Sequence, residues 1–167
     1  RSISDSIVDA TRDDRAAIGG MAGQLAYAVL RVARSTILGR VAVHAIRRAE
    51  DTLFVSAVEV ARRQLGCMRF CYVPPGSRTP SRYECEPDGA LQQVEADVAA
   101  MDPPPSPAEG DALVARLKSA ASARMVPRFQ SVRYGTPTYA RLTDCVDVRI
   151  RKGAHDESEM GVYHDLY

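Results

Sequence analysis

The chain has 167 residues, of which 46% are hydrophobic and 26% charged, and its formal net charge is +1. This length fits one domain, and the near-neutral charge argues against a nucleic acid or an anionic membrane as partner. No apolar run approaches the roughly 18 residues that a membrane-spanning helix needs. No cleavable signal precedes the first repeat, so we expect a cytoplasmic protein without a membrane span.

Three short blocks resemble one another, each with a small polar residue, a hydroxyl residue and two bulky apolar residues. They are Asp5-Ser6-Ile7-Val8, Ser35-Thr36-Ile37-Leu38 and Asp51-Thr52-Leu53-Phe54. A repeat this short cannot bury its own apolar side and must stack on its neighbours. The repeats therefore predict a mainly β fold, a right-handed parallel β-helix or solenoid. Because the chain opens within a repeat, we expect it to be a piece of a longer stack.

Residues 1–88 are predicted to form the rungs of this β-helix. Val58 and Val60 flank Glu59 in the period-2 pattern of a strand, and several similar runs occur before residue 73. The Ala-rich stretch 21–32 fits a helix or a strand, and the repeat spacing favours a strand. Residues 67–73 are expected to be the last strong strand of this part, because Pro-Pro-Gly follows it.

Residues 89–127 predict a helical, proline-rich insertion. Leu91, Val94, Val98 and Met101 have the spacing of one helical face. Three prolines then stop the first helix, and Ser106-Pro107-Ala108-Glu109 has the capping-box pattern at the start of a second. Residues 128–167 are expected to return to the same domain as final rungs and a C-terminal loop, with strands at 128–135 and 146–150.

The chain resembles a known family over most of its length, apart from residues 11–33 and the helical insertion. Its motif is Gly66-Cys67-Met68-Arg69-Phe70 followed by Tyr72-Val73-Pro74-Pro75-Gly76-Ser77-Arg78-Thr79-Pro80, and the likeness resumes at Arg128-Phe129 and Gly153-Ala154. The chain is similar here to uncharacterised bacterial β-helix-like proteins that are often encoded beside baseplate components of phage-tail-like contractile injection systems. The resemblance implies a parallel β-helix and a role in such a tail-like particle. The chain departs from the family at Cys71, where serine is expected.

Three cysteines match the family pattern, and with one histidine they could hold a tetrahedral structural zinc. These candidates are Cys67, Cys85, Cys145 and His164. No two of them form a CxxC pair, so buried reduced thiols are favoured over zinc and over a disulfide. We expect no metal and no cofactor. The acidic stretch 155–159, with His164 and Asp165, could bind a cation or supply an acid–base pair, but a solvated docked loop is favoured.

A run of arginines has no acidic residue between Glu59 and Glu84. Its members are Arg62, Arg63, Arg69, Arg78 and Arg82. Guanidinium groups bind carboxylates in bidentate fashion, so these residues could bind an acidic partner or a glycan carboxylate. The alternative is a solvated surface that discourages lateral aggregation.

The chain contains no phosphate-binding glycine loop, no GxSxG motif and no HExxH motif, and we assign no catalytic residue. The patterns favour a non-enzymatic structural or interaction protein bound to neighbouring subunits of a larger assembly. The alternative is a carbohydrate-binding or carbohydrate-cleaving protein, with Tyr134, Tyr139 and Tyr163 as its aromatic candidates. A zinc-stabilised module is a third hypothesis.

Overall fold

A computed structural model describes residues 1–12 and 15–164, so Asp165 lies outside the described residues. Ten strands lie in the first half of this part of the chain. They are β1 Ser2–Ser4, β2 Ile7–Asp9, β3 Ala16–Ile18, β4 Ala26–Ala33, β5 Thr36–Leu38, β6 Arg40–Glu50, β7 Leu53–Phe54, β8 Val58–Val60, β9 Cys67–Arg69 and β10 Ser81–Tyr83. Three α-helices follow: α1 Asp88–Ala99, α2 Pro107–Arg124 and α3 Val148–Arg151.

Parallel pairing joins the strands into a seven-stranded and a three-stranded sheet. The long strand β6 pairs with β3 and β8 through its first residues and with β9 through its last residues. It also pairs with β4 along most of the length of β4. The smaller sheet has the order β2–β5–β7, and single bridges from Leu53 to Tyr72 and from Tyr72 to Glu86 extend it. Strands that are separated in the chain therefore become neighbours in the sheets.

The prediction of a mainly β, right-handed parallel β-helix is wrong. The fold is mixed α/β, with two open parallel sheets and three helices of 12, 18 and 4 residues. The repeats predicted stacked parallel strands, and stacked parallel strands form, but they end at β10. Beyond β10, helices and loops make up the rest of the described chain, so strand stacking cannot define the whole fold.

The three repeat blocks pair with one another, but in a register that differs by one residue from the sequence alignment. Ile7 lies beside Thr36, and Thr36 lies beside Leu53. The second repeat therefore begins at Arg34 rather than at Ser35. The arginine was overlooked because the other two blocks begin with aspartate.

One type of corner occurs five times, each time just after a strand of the larger sheet. A residue with φ between 43° and 50° starts each corner: Asp5, Arg34, Asp51, Phe70 and Glu84. The next residue is small and donates its hydroxyl or thiol hydrogen to the carbonyl two residues earlier, as Ser6, Ser35, Thr52, Cys71 and Cys85 do. The short side-chain bond supplies a partner for a carbonyl at the turn. Cys71 and Cys85 thus take the place of serine.

Two apolar cores lie on opposite faces of the three-stranded sheet. Ile37 and Phe54, both fully buried, belong to the first core between the two sheets. Successive side chains of a strand point to opposite faces, so Leu53 belongs to the second core. The rest of that core comes from outside the named strands: Tyr72, Ala90, Met125, Leu142, Val146, Ile150 and Met160. The helices and the C-terminal loop therefore pack on the outer face of the small sheet.

The helical hairpin is confirmed. Helices α1 and α2 pack against each other, and Pro107 is the first residue of α2. The Glu109 carboxylate accepts a hydrogen bond from the Ser106 backbone N–H at 3.2 Å, as the capping-box pattern predicts. The strand expected within 21–32 is also confirmed, since β4 begins at Ala26.

The two strands predicted after the hairpin are wrong. Residues 128–135 form only isolated bridges, and helix α3 replaces the strand expected at 146–150. Val146 and Ile150 are buried four residues apart, whereas Val148 between them is 60% exposed. That spacing suits a helical turn, and the Asp147 carboxylate caps it by accepting from the Arg149 N–H at 3.0 Å. Strand β10 lies after residue 73, where no further strong strand was expected.

In the described part of the chain, residues 1–12 and 15–164, no helix combines the length and the apolar character needed to cross a membrane.

Candidate interaction surface

Three of the five arginines predicted to bind a partner lie together on an exposed corner of the larger sheet. The Arg62 N–H donates to the His44 carbonyl at 2.8 Å, which places Arg62 beside β6. The Arg63 guanidinium donates to the Thr79 carbonyl at 3.1 Å, next to Arg78. All three arginine residues are exposed. Neither Arg62 nor Arg78 forms an ion pair with another described residue, although the exposed Glu59 lies beside Arg78 in a parallel bridge.

Arg82 has a different position, because its register places it in an interior row. It lies beside Met68, which is fully buried. Its guanidinium donates to the Thr79 hydroxyl at 2.8 Å and to the Ser77 carbonyl at 3.1 Å, and it pairs with Asp88 at 3.1 Å. Arg82 therefore covers one end of the first core, and we leave it out of the surface that could meet a partner.

Arg69 lies apart from the exposed corner and contacts two aromatic rings. Its guanidinium carbon is 5.5 Å from the ring centroids of both Phe70 and Tyr83, and one nitrogen is 3.9 Å from the Glu50 carboxylate. The rings themselves meet edge to face at a centroid distance of 5.9 Å. Cation–π contacts of this kind orient the side chain and leave it less available for a partner.

Three further exposed arginines lie on β4 and β6, beyond the His44 carbonyl that accepts from Arg62, and they were not predicted as partner-binding residues. Arg31 and Arg48 are direct neighbours across β4 and β6, and Arg47 precedes Arg48 at an irregularity in the pairing. All three are exposed, although Arg48 also pairs with Glu50 at 2.7 Å. The pairing register shifts beside these residues, so a strict period-2 pattern along the sequence does not predict that Arg31 and Arg48 are neighbours. We define the arginine surface as Arg31, Arg47, Arg48, Arg62, Arg63 and Arg78.

Acidic residues are concentrated in a different segment. Residues 31–83 contain ten arginines and three acidic residues, whereas residues 84–115 contain eight acidic residues and no basic residue. Some acids of this segment have cation partners, as Glu86 has in Arg149 and Glu95 has in Lys118. The acids around the far end are exposed and have no ion-pair partner among the described residues. We define this acidic tip as Asp97, Asp102, Glu109 and Asp111.

Glu86 connects the small sheet to the hairpin from a buried position. Its carboxylate accepts from the Ala90 N–H at 3.0 Å, near the start of α1, and pairs with Arg149 at 3.2 Å. Burial raises the pKa of Glu86, although both partners act in the opposite direction. Burial raises the pKa of Glu159 as well, and Arg151 and Arg141 oppose that shift. Both acids belong to the packing of the C-terminal part.

The four zinc candidates do not form a metal site. Within residues 1–12 and 15–164, no group of three or more His, Cys, Asp or Glu side chains could hold a metal ion. All four cysteines of the chain are free, so the predicted alternative of a disulfide is also not formed. Cys67 lies in β9 and Cys145 is exposed in the C-terminal part, whereas Cys85 is buried at its corner. Burial raises the pKa of the neighbouring Cys71 thiol.

The acidic stretch 155–159 forms a loop that docks on the small sheet. The Asp51 carboxylate accepts from the His155 N–H at 2.8 Å, and the Asp51 carbonyl accepts from the Gly161 N–H at 2.9 Å. His164 is buried, with its Nδ1 2.8 Å from the Ser158 hydroxyl and its Nε2 3.3 Å from the Asp156 carboxylate. These contacts explain the burial of His164 as packing of the loop. The favoured prediction was a docked loop, and the loop does dock.

Two of the tyrosines named for carbohydrate recognition meet at a pocket of about 510 Å³. The rings of Tyr134 and Tyr139 are edge to face at a centroid distance of 5.7 Å, and Tyr134 is 86% exposed. The Tyr139 hydroxyl donates to the Asp9 carboxylate at 2.5 Å, and Tyr163 donates to the Tyr139 carbonyl. We call this the tyrosine pocket; its lining is Asp5, Ile7, Asp9, Thr11, Tyr134, Tyr139 and Val162.

Comparison of the chain with protein-family models, with curated proteins and with solved structures found no match. The expected role in a phage-tail-like, contractile-injection-system baseplate depended on the resemblance and on the β-helix. The fold is not the predicted β-helix, and no relative associates the chain with a tail-like particle. The expected role therefore loses the support of the β-helix, and the comparisons give it none.

Proposed function

We propose that this chain is a non-enzymatic interaction protein that binds an acidic segment of a partner protein through the arginine surface. The separation of charge along the chain supports this proposal: ten arginines and only three acidic residues lie in residues 31–83. Clustered arginines also discourage lateral aggregation of sheets. A surface that recognises carboxylates gains further from the clustering, because guanidinium groups bind carboxylates with two parallel hydrogen bonds.

The parallel pairing of β4 and β6 holds Arg31 and Arg48 of this surface on a rigid backbone. Neighbouring strands lie about 4.8 Å apart, so side chains in equivalent positions on β4 and β6 project close together. Arg31 and Arg48 have this relation. A rigid backbone loses little conformational entropy on binding, which favours recognition by a fixed set of cations. Arg62 and Arg78, without ion-pair partners among the described residues, add charge that a partner can neutralise.

A labelled glutamate-rich peptide tests this proposal. We expect the wild-type chain to bind it at low ionic strength, and the triple variant Arg62→Glu, Arg63→Glu, Arg78→Glu to bind at least about tenfold more weakly. The matched control is Arg116→Glu, Arg128→Glu, Arg133→Glu, which changes the net charge equally at exposed positions outside the surface. The control should stay within about twofold of wild type.

Two results would count against the proposal. Equal weakening in both triple variants would show that net charge, rather than the arginine surface, determines binding. Tighter binding of a DNA duplex than of the peptide would assign the arginines to a nucleic acid instead. Circular dichroism of each variant checks that the fold is retained.

A second candidate function is carbohydrate binding at the tyrosine pocket. Exposed aromatic rings stack on sugar faces, and carboxylates accept hydrogen bonds from sugar hydroxyls. Tyr134 offers such a ring, and Asp5 and Asp9 line the same pocket. Binding to an oligosaccharide array should be lost in Tyr134→Ala and retained in Tyr27→Ala, whose ring is 94% exposed elsewhere. Binding that survives Tyr134→Ala would remove this candidate.

A further inference from the structure

The hairpin carries its acidic tip away from the rest of the molecule. Ala90 near the start of α1 and Met125 just after α2 are buried in the second core, which anchors the base. Helix α1 has 12 residues and so extends for about 18 Å. The four acids of the acidic tip lie near its far end, beside the connection between the helices.

Within residues 1–12 and 15–164, the acidic tip has no cation partner. Glu95, one turn before the end of α1, is neutralised by Lys118 across the hairpin. Asp97 and Glu109 accept hydrogen bonds only from Gln93 and Ser106, which are uncharged. No ion pair joins any tip residue to another residue of the described ranges. Apart from Arg48, which pairs with Glu50, the residues of the tip and of the arginine surface have no ion-pair partner among the described residues, so two patches of opposite charge lie on one chain.

We propose that the acidic tip of one copy binds the arginine surface of a second copy. This inference rests on the proposed function and names its partner. Opposite charges that do not pair within one molecule can pair between two, and both patches are present at equal concentration in any solution of the chain. The two patches differ, so the contact is head-to-tail and each copy keeps one free tip and one free surface. Copies can therefore add in series.

Exposed apolar side chains accompany both patches. Met101 at the acidic tip is 43% exposed. Tyr27 is 94% exposed and stacks on His44 at a centroid distance of 5.8 Å, and the His44 carbonyl accepts from the Arg62 N–H. A thioether and an aromatic ring pack favourably against each other. Contact between Met101 of one copy and Tyr27 of the other would add an apolar contribution to the binding free energy, and salt does not screen such a contribution.

Sedimentation velocity of the wild-type chain gives the first test. Exposed ion pairs are individually weak and are screened beyond about 10 Å at 0.1 M salt. We therefore expect the average sedimentation coefficient to rise with protein concentration at low salt and to fall back toward that of a monomer in about 0.5 M salt. A wild-type chain that stays monomeric at every concentration in low salt overturns the inference.

Two charge-reversed variants give the decisive test. The tip variant is Asp97→Lys, Asp102→Lys, Asp111→Lys, and the surface variant is Arg62→Glu, Arg63→Glu, Arg78→Glu. Each alone should raise the apparent dissociation constant of self-association at least about tenfold. An equimolar mixture should associate again, because the intact surface of one variant meets the intact tip of the other. A mixture that stays monomeric overturns the inference.

The same variants separate this inference from the proposed function. If the wild-type chain binds the glutamate-rich peptide but does not self-associate, the function stands and its partner is another protein. If neither peptide binding nor self-association occurs, both proposals fail. The control Arg116→Glu, Arg128→Glu, Arg133→Glu should self-associate within about twofold of wild type. Loss in that variant would attribute the effect to net charge alone and contradict the proposal.

Discussion

Residues 1–86, the ladder region, contain the same corner five times, whereas residues 87–164, the C-terminal region, show no such repetition. In the ladder region each corner has a left-handed residue followed by a small hydroxyl or thiol donor. In the C-terminal region the helices and loops are held by contacts that occur once, such as the Asp51 carboxylate with the His155 N–H. Local sequence therefore determines the first region, and distant partners determine the second.

The difference predicts how each region responds to substitution. A repeated corner allows a residue at one position to be replaced by its equivalent from another. A contact that occurs once has no equivalent elsewhere in the chain. The free energy lost when it is removed therefore depends only on the burial and the charge of its groups.

Gly66→Ala should be the most damaging change. Gly66 has φ +90°, and an added Cβ would lie 2.0 Å from the Ile46 carbonyl oxygen. The ladder backbone cannot move away without breaking its pairing, so we expect a loss of about 4 kcal/mol or more in urea unfolding. Gly76→Ala is the matched control, with φ +80° but no atom within 4 Å. Its cost should be about 1–2 kcal/mol, from the left-handed conformation alone. Equal losses would contradict the steric argument.

Ile37→Ala should reduce the free energy of unfolding by about 3 kcal/mol, as is typical for truncation of a fully buried side chain. Ile37 lies at the centre of the small sheet, between β2 and β7, so the cavity cannot collapse easily. Val132→Ala, at a residue 63% exposed in the C-terminal region, should change stability by less than about 0.5 kcal/mol. Thermal unfolding followed by circular dichroism measures both. A small effect at Ile37 would indicate that the small sheet does not support the fold.

Arg149→Met should cost about 2 kcal/mol at pH 7, because it leaves the buried Glu86 carboxylate without its cation. The pKa of Glu86 is higher in the folded protein than its ordinary value, so folding is favoured when Glu86 is protonated. This contribution to the free energy of unfolding is fully present below the ordinary pKa and is lost as the pH rises through the raised pKa. Without Arg149, the charged form of Glu86 is destabilised further, so more stability is lost at high pH. The destabilisation caused by Arg149→Met should therefore be smaller at pH 4, which lies below the raised pKa of Glu86. Urea unfolding at the two pH values measures the difference.

Arg124→Met is the control for this prediction. Arg124 pairs with Asp147, but its side chain is 69% exposed, so the change should cost less than about 1 kcal/mol at both pH values. A cost of Arg149→Met that does not change with pH would show that packing, rather than the charge of Glu86, explains it.

Cys71→Ser should change stability by less than about 1 kcal/mol, because serine or threonine already occupies this corner position three times. Cys71→Ala removes the donor to the Arg69 carbonyl and leaves a small void, so it should cost more, about 1–2 kcal/mol. Chemical unfolding under reducing conditions compares them. An alanine variant as stable as the serine variant would contradict the assignment of the thiol as a corner donor.

Much of the ladder region was predictable, because its strands are built from local patterns. The short blocks around Ile7, Ile37 and Leu53 predicted parallel stacking, and these strands do pair in parallel. The exact register was not predictable, because Arg34 replaces the aspartate of the other blocks. The capping box at Ser106 was also readable, since both of its residues lie within one helical turn.

The candidate surface was only partly predictable. Arg62, Arg63 and Arg78 were named from the sequence, and the structure brings them together. Arg82 could not be separated from them, because only its register beside the buried Met68 shows that it faces inward. The sequence does carry a pattern that indicates the acidic tip, because residues 84–115 contain eight acidic residues and no basic residue. The zinc candidates failed because spacing along the chain says little about distance in space.

The amino-acid order alone determined the short parallel strands, the corner residues, the helical hairpin and the segregation of arginine from acid, since each depends on neighbours within a few residues. Tertiary structure decided the fold class, the end of stacking after β10 and the placement of α3 where a strand was expected. It also decided which arginines face solvent. These outcomes depend on whether distant apolar side chains such as Leu53 and Ile150 find each other, and burial of that kind has no local pattern.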